Sequence, residues 1–347
     1  MRISDRVQAM QNSPIRKFNP MADAAEAAGV KIYHLNIGQP DIETPSVFWE
    51  AVKGFDQKVL AYAGSWGLPE LQDAIVDYFK RFDMNLERND VLITAGGSEA
   101  LTLTFLSIIN PGDEVIVAEP YYTNYLTFIQ AADGVVKPVT TYAEESYKYA
   151  IKERLEAVVT DKTKMISIVN PGNPTGCILS REDMRVIADF AKEHDLWILA
   201  DEVYREFAYD GREMTSFGQL ADIEDRVIII DSVSKRFSAC GARIGCMVCK
   251  NKEFMAQVFK IAMGRLCVPT LDMVGATAMY KLPADFFNSV RAEYEHRRDV
   301  AYDALMKIPG VVCQKPGGAF YITCKLPVEN TEDLLLFLLN EFRENNE

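Results

Sequence analysis

Apolar segments and amphipathic segments alternate along most of the chain. Short, largely apolar runs predict strands at 91–94, 114–118, 164–169, 197–200, 226–231 and 245–249. Apolar residues at helical spacing predict helices between several of them, at 68–82, 99–109 and 181–194. Strands that are apolar on both faces and alternate with helices are typical of a mostly parallel sheet covered on both sides. The pattern therefore predicts an α/β fold.

The pattern changes after Pro283. One long, charged helix is predicted over 285–306, followed by short strands at 311–313 and 319–324 and a helix over 331–343. Strands and helices in this mixture, after a run of alternating elements, indicate a second and smaller α+β unit.

Composition narrows the possible partners. The 347 residues suggest about two domains, and 37 basic against 50 acidic side chains give a net charge of −13. Such a charge argues against nucleic acid or an anionic membrane as the main partner. Any anionic ligand must therefore be held by local cations. We find no secretory signal and no apolar run long enough to span a membrane.

The cysteines predict a reducing, cytoplasmic location. There are seven, an odd number, and they lack the spacing of a disulfide framework. Cys246 and Cys249 form a C-x-x-C pair within a predicted strand. We expect them to pack in the core rather than to bind zinc, because no second pair of ligands is well placed. No metal site is predicted.

Four loops, each after a predicted strand, contain the candidate chemistry. TAGGSEAL at 94–101 places glycines before a helix, whose free N–H groups can bind an anion. NPGNPTG supplies the Asn173 amide, and ADEVY ends a buried strand with Asp201. DSVSKRFSACGARIG contains Lys235 and Arg243, and a lysine near a buried sheet end can form a Schiff base. Together these groups suit an aldehyde-bearing pyridine with a phosphate tail.

Alternatively, the glycine loop could carry the nucleophilic serine of a hydrolase. GGSEA nearly matches the G-x-S-x-G elbow around Ser98, which would require a later histidine such as His194 or His296. Neither histidine lies in a loop signature, so we disfavour a serine hydrolase.

The motifs NPGNPTG, ADEVY and S-x-S-K with R-x-G, in this order and spacing, resemble the class I pyridoxal-phosphate-dependent aminotransferases of fold type I, in particular those like aspartate aminotransferase. The resemblance runs from the N-terminal arm to Glu347. It implies a helix-covered sheet and a small domain made from both chain ends. We expect an arm with part of the small domain at 1–45, a large cofactor-binding domain at 46–284 and the rest of the small domain at 285–347.

The resemblance also implies a role for each motif residue. Lys235 matches the lysine that forms the Schiff base and moves the substrate proton. Asp201 matches the acid that keeps the pyridine nitrogen protonated. Asn173 and Tyr204 match the pair that binds the ring hydroxyl, and Tyr122 matches the aromatic residue that stacks on the ring.

Two further sets of residues follow from the same resemblance. The phosphate would be held by Gly96, Gly97, Ser98, Ser232, Arg243 and, from the partner subunit of a homodimer, Tyr62. The substrate would contact Gly38, Asn173 and Arg265, the last through a side-chain carboxylate. Phe320 would belong to the entry strand of the small domain. The family's arginine for the α-carboxylate lies beyond any segment that matches here, and Arg343 does not fit its motif. We therefore expect an incomplete small domain.

The implied activity is transfer of an amino group from an L-amino acid, aspartate first, to a 2-oxo acid such as 2-oxoglutarate, with ping-pong kinetics. Two alternatives stay open at this point. One is a pyridoxal-phosphate-dependent lyase that cleaves C–S or another Cβ bond, since the same fold hosts both reactions. The other is a relative that binds the cofactor without turnover.

Overall fold

A seven-stranded sheet forms the centre of the molecule. The computed structural model describes residues 1–344, so the Glu347 terminus lies outside the described residues. The strands of this sheet, in chain order, are β1 (Val91–Thr94), β2 (Glu114–Glu119), β3 (Val135–Thr140), β4 (Thr163–Val169), β5 (Trp197–Asp201), β6 (Val227–Ser232) and β7 (Gly245–Val248). Their spatial order is β1-β7-β6-β5-β4-β2-β3. Within this sheet, β7 pairs antiparallel with β1 and β6, and the other described pairings are parallel, which makes the sheet mostly parallel, as predicted.

Thirteen α-helices of the described chain surround the sheet or extend from it. They are α1 (Asp5–Ala9), α2 (Asn19–Ala27), α3 (Ser46–Lys53), α4 (Pro69–Lys80), α5 (Gly96–Ile108), α6 (Asn124–Ala131), α7 (Lys152–Glu156), α8 (Arg181–Glu193), α9 (Val233–Arg236), α10 (Lys252–Gly264), α11 (Thr270–Tyr280), α12 (Phe286–Leu305) and α13 (Thr331–Asn340). None of these described helices is long and apolar enough to cross a membrane.

The central strands are apolar throughout because both of their faces are covered. Ile229 packs into one hydrophobic cluster, whereas Ile228 and Ile230 pack into the cluster on the other face. Cys246 and Cys249 are also divided between the two clusters, so they pack in the core as predicted. A metal ion cannot bind both thiols from opposite faces of a sheet.

A small antiparallel pair, β8 (Val312–Cys313) and β9 (Cys324–Lys325), lies outside the main sheet. The predicted strand at 319–324 is wrong over most of its length. Ala319 has a φ of 54°, and its N–H donates to the Phe207 carbonyl at 2.9 Å, which produces a turn rather than an extended strand.

Both ends of the chain meet at this side of the molecule. Helix α13 packs against α2, and Lys17 Nζ lies 2.7 Å from Glu332 Oε2. A small domain built from both ends would require such contacts. The domain boundaries themselves stay a prediction.

Candidate active site

The carboxyl ends of β4, β5 and β6 open into one cavity of about 340 Å³, as expected for the ligand site of an open α/β sheet. The structure brings most of the predicted site residues to its lining. These are Gly38, Gly97, Ser98, Tyr122, Asn173, Asp201, Tyr204, Ser232, Lys235 and Arg243.

Lys235 occupies the short helix α9, directly after β6. The Ser232 hydroxyl accepts a hydrogen bond from the Ser234 N–H at 3.1 Å and so caps this helix. The Lys235 ammonium donates to the Gly38 carbonyl at 2.8 Å. Burial lowers the pKa of Lys235, which favours the neutral, nucleophilic amine.

Asp201 ends β5 and is buried. It accepts hydrogen bonds from the Tyr125 hydroxyl at 2.9 Å and from the Val203 N–H at 3.3 Å. Burial nevertheless raises the pKa of this carboxyl to about 6, against the lowering effect of both hydrogen bonds. A protonated ring nitrogen beside it would supply the charge that this carboxylate lacks in the protein alone.

A chain of polar side chains lines the wall near Lys235. The Asn173 amide donates to the Tyr204 hydroxyl at 3.4 Å, and the Tyr204 and Tyr321 hydroxyls are 2.5 Å apart. Tyr321 also lies so close to Gly38 that a Cβ there would be 1.9 Å from its hydroxyl oxygen. The close approach of this loop to the cavity therefore requires glycine at position 38.

The anion cradle combines a helix start with an arginine. Helix α5 begins at Gly96, whose φ is 74°, and the first N–H groups of a helix have no acceptor within it. A Cβ on Gly96 would lie 2.4 Å from Arg243 Nη2. Arg243 Nη1 donates to the Cys240 carbonyl at 2.8 Å. The guanidinium is thus held beside the free end of α5, where a phosphate would be bound by both.

Tyr122 forms another part of the lining. Its hydroxyl accepts a hydrogen bond from the Asn124 amide at 2.7 Å, and its ring meets that of Tyr125 edge-on at 5.5 Å. Burial raises the pKa of Tyr122, so its hydroxyl stays neutral near pH 7.

Four predicted residues lie outside the cavity lining, and one of them, Gly96, directly precedes the lining residue Gly97 at the start of α5. Tyr62 is 80% exposed, as a residue that serves a partner subunit would be in a single chain. Arg265 donates to Glu99 Oε1 at 3.0 Å and to the Ile93 carbonyl at 2.7 Å, so its guanidinium is already engaged. Phe320 packs edge-on against Tyr204 at 5.2 Å, but from a turn rather than from the expected strand.

The alternative serine hydrolase receives no support from the described residues. No histidine lines the cavity that contains Ser98. His194 lies instead 3.0 Å from Glu156 at a distant surface. The ligand atoms of Glu156, Glu193 and His194 are close enough together to hold a metal ion, but Glu193 is already paired with Lys152 at 2.6 Å.

Sequence reasoning missed three residues of this site. Tyr125 supports Asp201, Tyr321 bonds to Tyr204, and Arg16 lines the cavity from the N-terminal arm. Tyr125 lies three positions after Tyr122, and Tyr321 directly follows Phe320. No pattern of spacing indicated that these side chains would reach the site.

The residues present fit pyridoxal phosphate. A partly buried lysine with a lowered pKa suits its aldehyde, and a buried acid with a raised pKa suits its ring nitrogen. The Asn173 and Tyr204 pair suits the ring hydroxyl, and the start of α5 with Arg243 suits the phosphate. Each functional group of the cofactor thus has a chemically matched partner in one cavity.

Comparison with known proteins agrees with this site. Residues 30–343 match the family described as aminotransferase class I and II. The chain is 35% identical to a putative aminotransferase, YugH, of Bacillus subtilis and 34% identical to an aspartate aminotransferase of the same organism. These matches cover 92% and 93% of this chain, respectively, and 82% of each relative.

A solved structure is also similar over nearly the whole chain. The alanine aminotransferase of Pyrococcus furiosus superposes with a TM-score of 0.91 at 33% identity, covering 97% of this chain and 88% of that one. These findings confirm the predicted fold, cofactor and enzyme class. The chain belongs to the class I and II aminotransferases, which depend on pyridoxal phosphate.

Proposed function

We propose that the protein transfers the amino group of L-aspartate to 2-oxoglutarate by ping-pong kinetics, with Lys235 as the covalent anchor of the cofactor. The observation that carries this proposal is the placement of Lys235 and Asp201 in one cavity, each with the pKa shift that its role requires. An aspartate aminotransferase of Bacillus subtilis among the relatives supports the choice of donor.

Bound pyridoxal phosphate supplies an electron-accepting ring that makes the substrate Cα–H acidic. Asp201 would hold the proton on the ring nitrogen, since a buried carboxylate is stabilised by an adjacent positive charge. Asn173 and Tyr204 would bind the ring hydroxyl, while Arg243 and the start of α5 would bind the phosphate. Tyr122 would lie against the ring face and exclude water from it.

Lys235 would carry the proton. When not bonded to the cofactor, its Nζ would be a base within the cavity. The lowered pKa would increase the share of neutral amine, which could accept the Cα proton and donate it again. Water would supply the keto oxygen of the 2-oxo acid, while the amino nitrogen would be kept for transfer to the acceptor. The second half-reaction would be the reverse and would release one water, so the complete cycle would involve no net oxidation.

We also propose a homodimer in the cytoplasm. Tyr62 and its neighbours Val59 and Leu60 are exposed apolar residues of one loop, a feature that a partner subunit would cover. All seven cysteines are free, as they would be in a reducing compartment.

The first test measures whether turnover needs an acceptor. The purified protein with pyridoxal phosphate should convert aspartate to oxaloacetate catalytically only when 2-oxoglutarate is present, and double-reciprocal plots should be parallel. Lys235→Ala should abolish turnover, whereas Lys260→Ala, which changes an exposed lysine distant from the cavity, should not. Continuous release of pyruvate or ammonia from a cysteine-like donor without an acceptor would instead identify a lyase.

A further inference from the structure

Three cationic side chains among the described residues line the cavity: Arg16, Lys235 and Arg243. Lys235 donates to the Gly38 carbonyl, and Arg243 donates to the Cys240 carbonyl beside the start of α5. The cofactor accounts for both of these cations. The Arg16 guanidinium makes no hydrogen bond or ion pair with any described residue. It is therefore the one cation of this lining that neither the protein nor the cofactor uses.

The local structure separates Arg16 from its basic neighbour. Residues Arg16–Phe18 form a single 3₁₀ turn, in which the Lys17 N–H donates to the Ser13 carbonyl at 3.2 Å. Lys17 then extends to Glu332 on α13, where its Nζ lies 2.7 Å from the carboxylate. Consecutive side chains of a tight turn point in different directions, so pairing Lys17 with α13 leaves Arg16 for the cavity.

Arg16 and Tyr122 line the same cavity. The charge of Arg16 is among those that lower the pKa of the Tyr122 hydroxyl, against the larger raising effect of burial. Arg16 enters this cavity from the N-terminal arm, whereas Lys235 enters it from the end of β6.

This position suits the far end of a dicarboxylic substrate. The amino group and the α-carboxylate share one carbon atom, so both must lie close to Lys235. A side-chain carboxylate lies one or two carbons further away. The protein carries a net charge of −13, so a second carboxylate needs a local cation, and a guanidinium can bind it through two parallel hydrogen bonds.

We propose that Arg16 binds the side-chain carboxylate of a dicarboxylic amino acid or oxo acid. The proposal rests on the proposed aminotransferase function and assigns its substrate class to a residue of the N-terminal arm. Arg16, rather than Arg265, would then bind this carboxylate, because the Arg265 guanidinium already bonds to Glu99 and to the Ile93 carbonyl.

The test uses succinate, which has two carboxylates but no amino group, and butyrate, which has one. Calorimetric titration of the cofactor-loaded protein measures binding without any turnover. Arg16→Gln should weaken succinate binding at least about tenfold, in line with loss of a charge-assisted pair, and leave butyrate within about threefold. Arg16→Lys should retain part of the affinity, because it keeps the charge but loses the planar fork.

Two matched variants serve as controls. Lys17→Gln removes the neighbouring cation, and Arg265→Gln removes the rival arginine; neither should change succinate binding. The proposal is overturned if Arg16→Gln binds succinate like the unaltered protein, if Arg265→Gln loses it instead, or if succinate does not bind at all. Equal losses for succinate and butyrate would place the α-carboxylate at Arg16 and also contradict it. Aspartate turnover by the unaltered protein, measured separately, tests the aminotransferase function itself.

Discussion

The surroundings of each residue in this site determine its protonation and charge. Asp201 illustrates this, because the end of a buried strand is a costly place for a carboxylate. Two hydrogen-bond donors reduce the cost but do not remove it, and the pKa stays raised to about 6. The protein alone therefore carries a strained charge at neutral pH, and a cofactor with a protonated ring nitrogen relieves that strain.

This strain predicts an unusual effect of Asp201→Asn on the cofactor-free protein. The folded pKa of about 6 lies above the ordinary value of 3.8, so the folded state retains a proton that the unfolded state releases. This contribution to stability is present at low pH and is lost as pH rises through 6. The variant should be more stable than the unaltered protein at pH 7.5, by up to about 3 kcal/mol, and this advantage should fall to about 1 kcal/mol at pH 4.5.

Urea unfolding of the cofactor-free unaltered protein and of cofactor-free Asp201→Asn, at pH 7.5 and at pH 4.5, measures the difference in their stability. The contributions of the other titrating groups cancel in this difference. A stability difference that does not change with pH would contradict the raised pKa. With the cofactor bound, the order at pH 7.5 should reverse, because only the carboxylate can pair with a protonated ring nitrogen.

The site residues that can be predicted from the sequence differ physically from those that cannot. Lys235 and Asp201 stand beside strand ends in recognisable motifs, so topology alone brings them together. Tyr321 reaches Tyr204 from more than a hundred positions away along the chain, through a turn whose shape depends on tertiary contacts. Arg265 was expected at the substrate, but nothing in its sequence context indicated Glu99 as its partner.

At the scale of elements, hydrophobic pattern was reliable where burial was complete. All six strands predicted for the main sheet are present, and each of them buries apolar residues in the hydrophobic clusters on both faces of the sheet. Strand β3 was missed, since it lies at the sheet edge, includes Lys137 and Pro138, and buries only Val139. Helix α5 begins at Gly96, three residues before its predicted start at Glu99, which brings the free N–H groups to the cavity.

Two buried ion pairs lie next to the ends of β5 and β6, the strands that lead to the site residues. Glu202, directly after β5, pairs with Arg205, and Asp231 at the end of β6 pairs with Arg236. All four side chains are buried, so each charge depends on its partner. These pairs fix the segments that carry Asp201 and Lys235, which explains why charged residues follow apolar strands here.

At the scale of the whole molecule, the exposed loop around Tyr62 predicts a dimer. Val59 is 71% exposed beside this tyrosine, and a glutamate there would place a charge within the proposed interface. Val59→Glu should shift the protein from dimer to monomer in sedimentation experiments and weaken cofactor retention, because Tyr62 would no longer reach the partner's phosphate site. Val300→Glu, at a valine that is 57% exposed on α12, is the control.

The dimer proposal fails if the unaltered protein sediments as a monomer. It also fails if Val300→Glu dissociates the dimer as readily as Val59→Glu, because the effect would then reflect added charge rather than a particular surface.

The most direct measurement is the absorbance spectrum of the protein loaded with pyridoxal phosphate, recorded before and after L-aspartate is added without any oxo acid. The account predicts loss of the visible band of the Lys235-bound cofactor and growth of the band of the aminated cofactor. Addition of 2-oxoglutarate should restore the original spectrum. A Lys235-bound band that ignores aspartate would contradict the proposed donor, and failure of the protein to form that band at all would contradict the central role of Lys235.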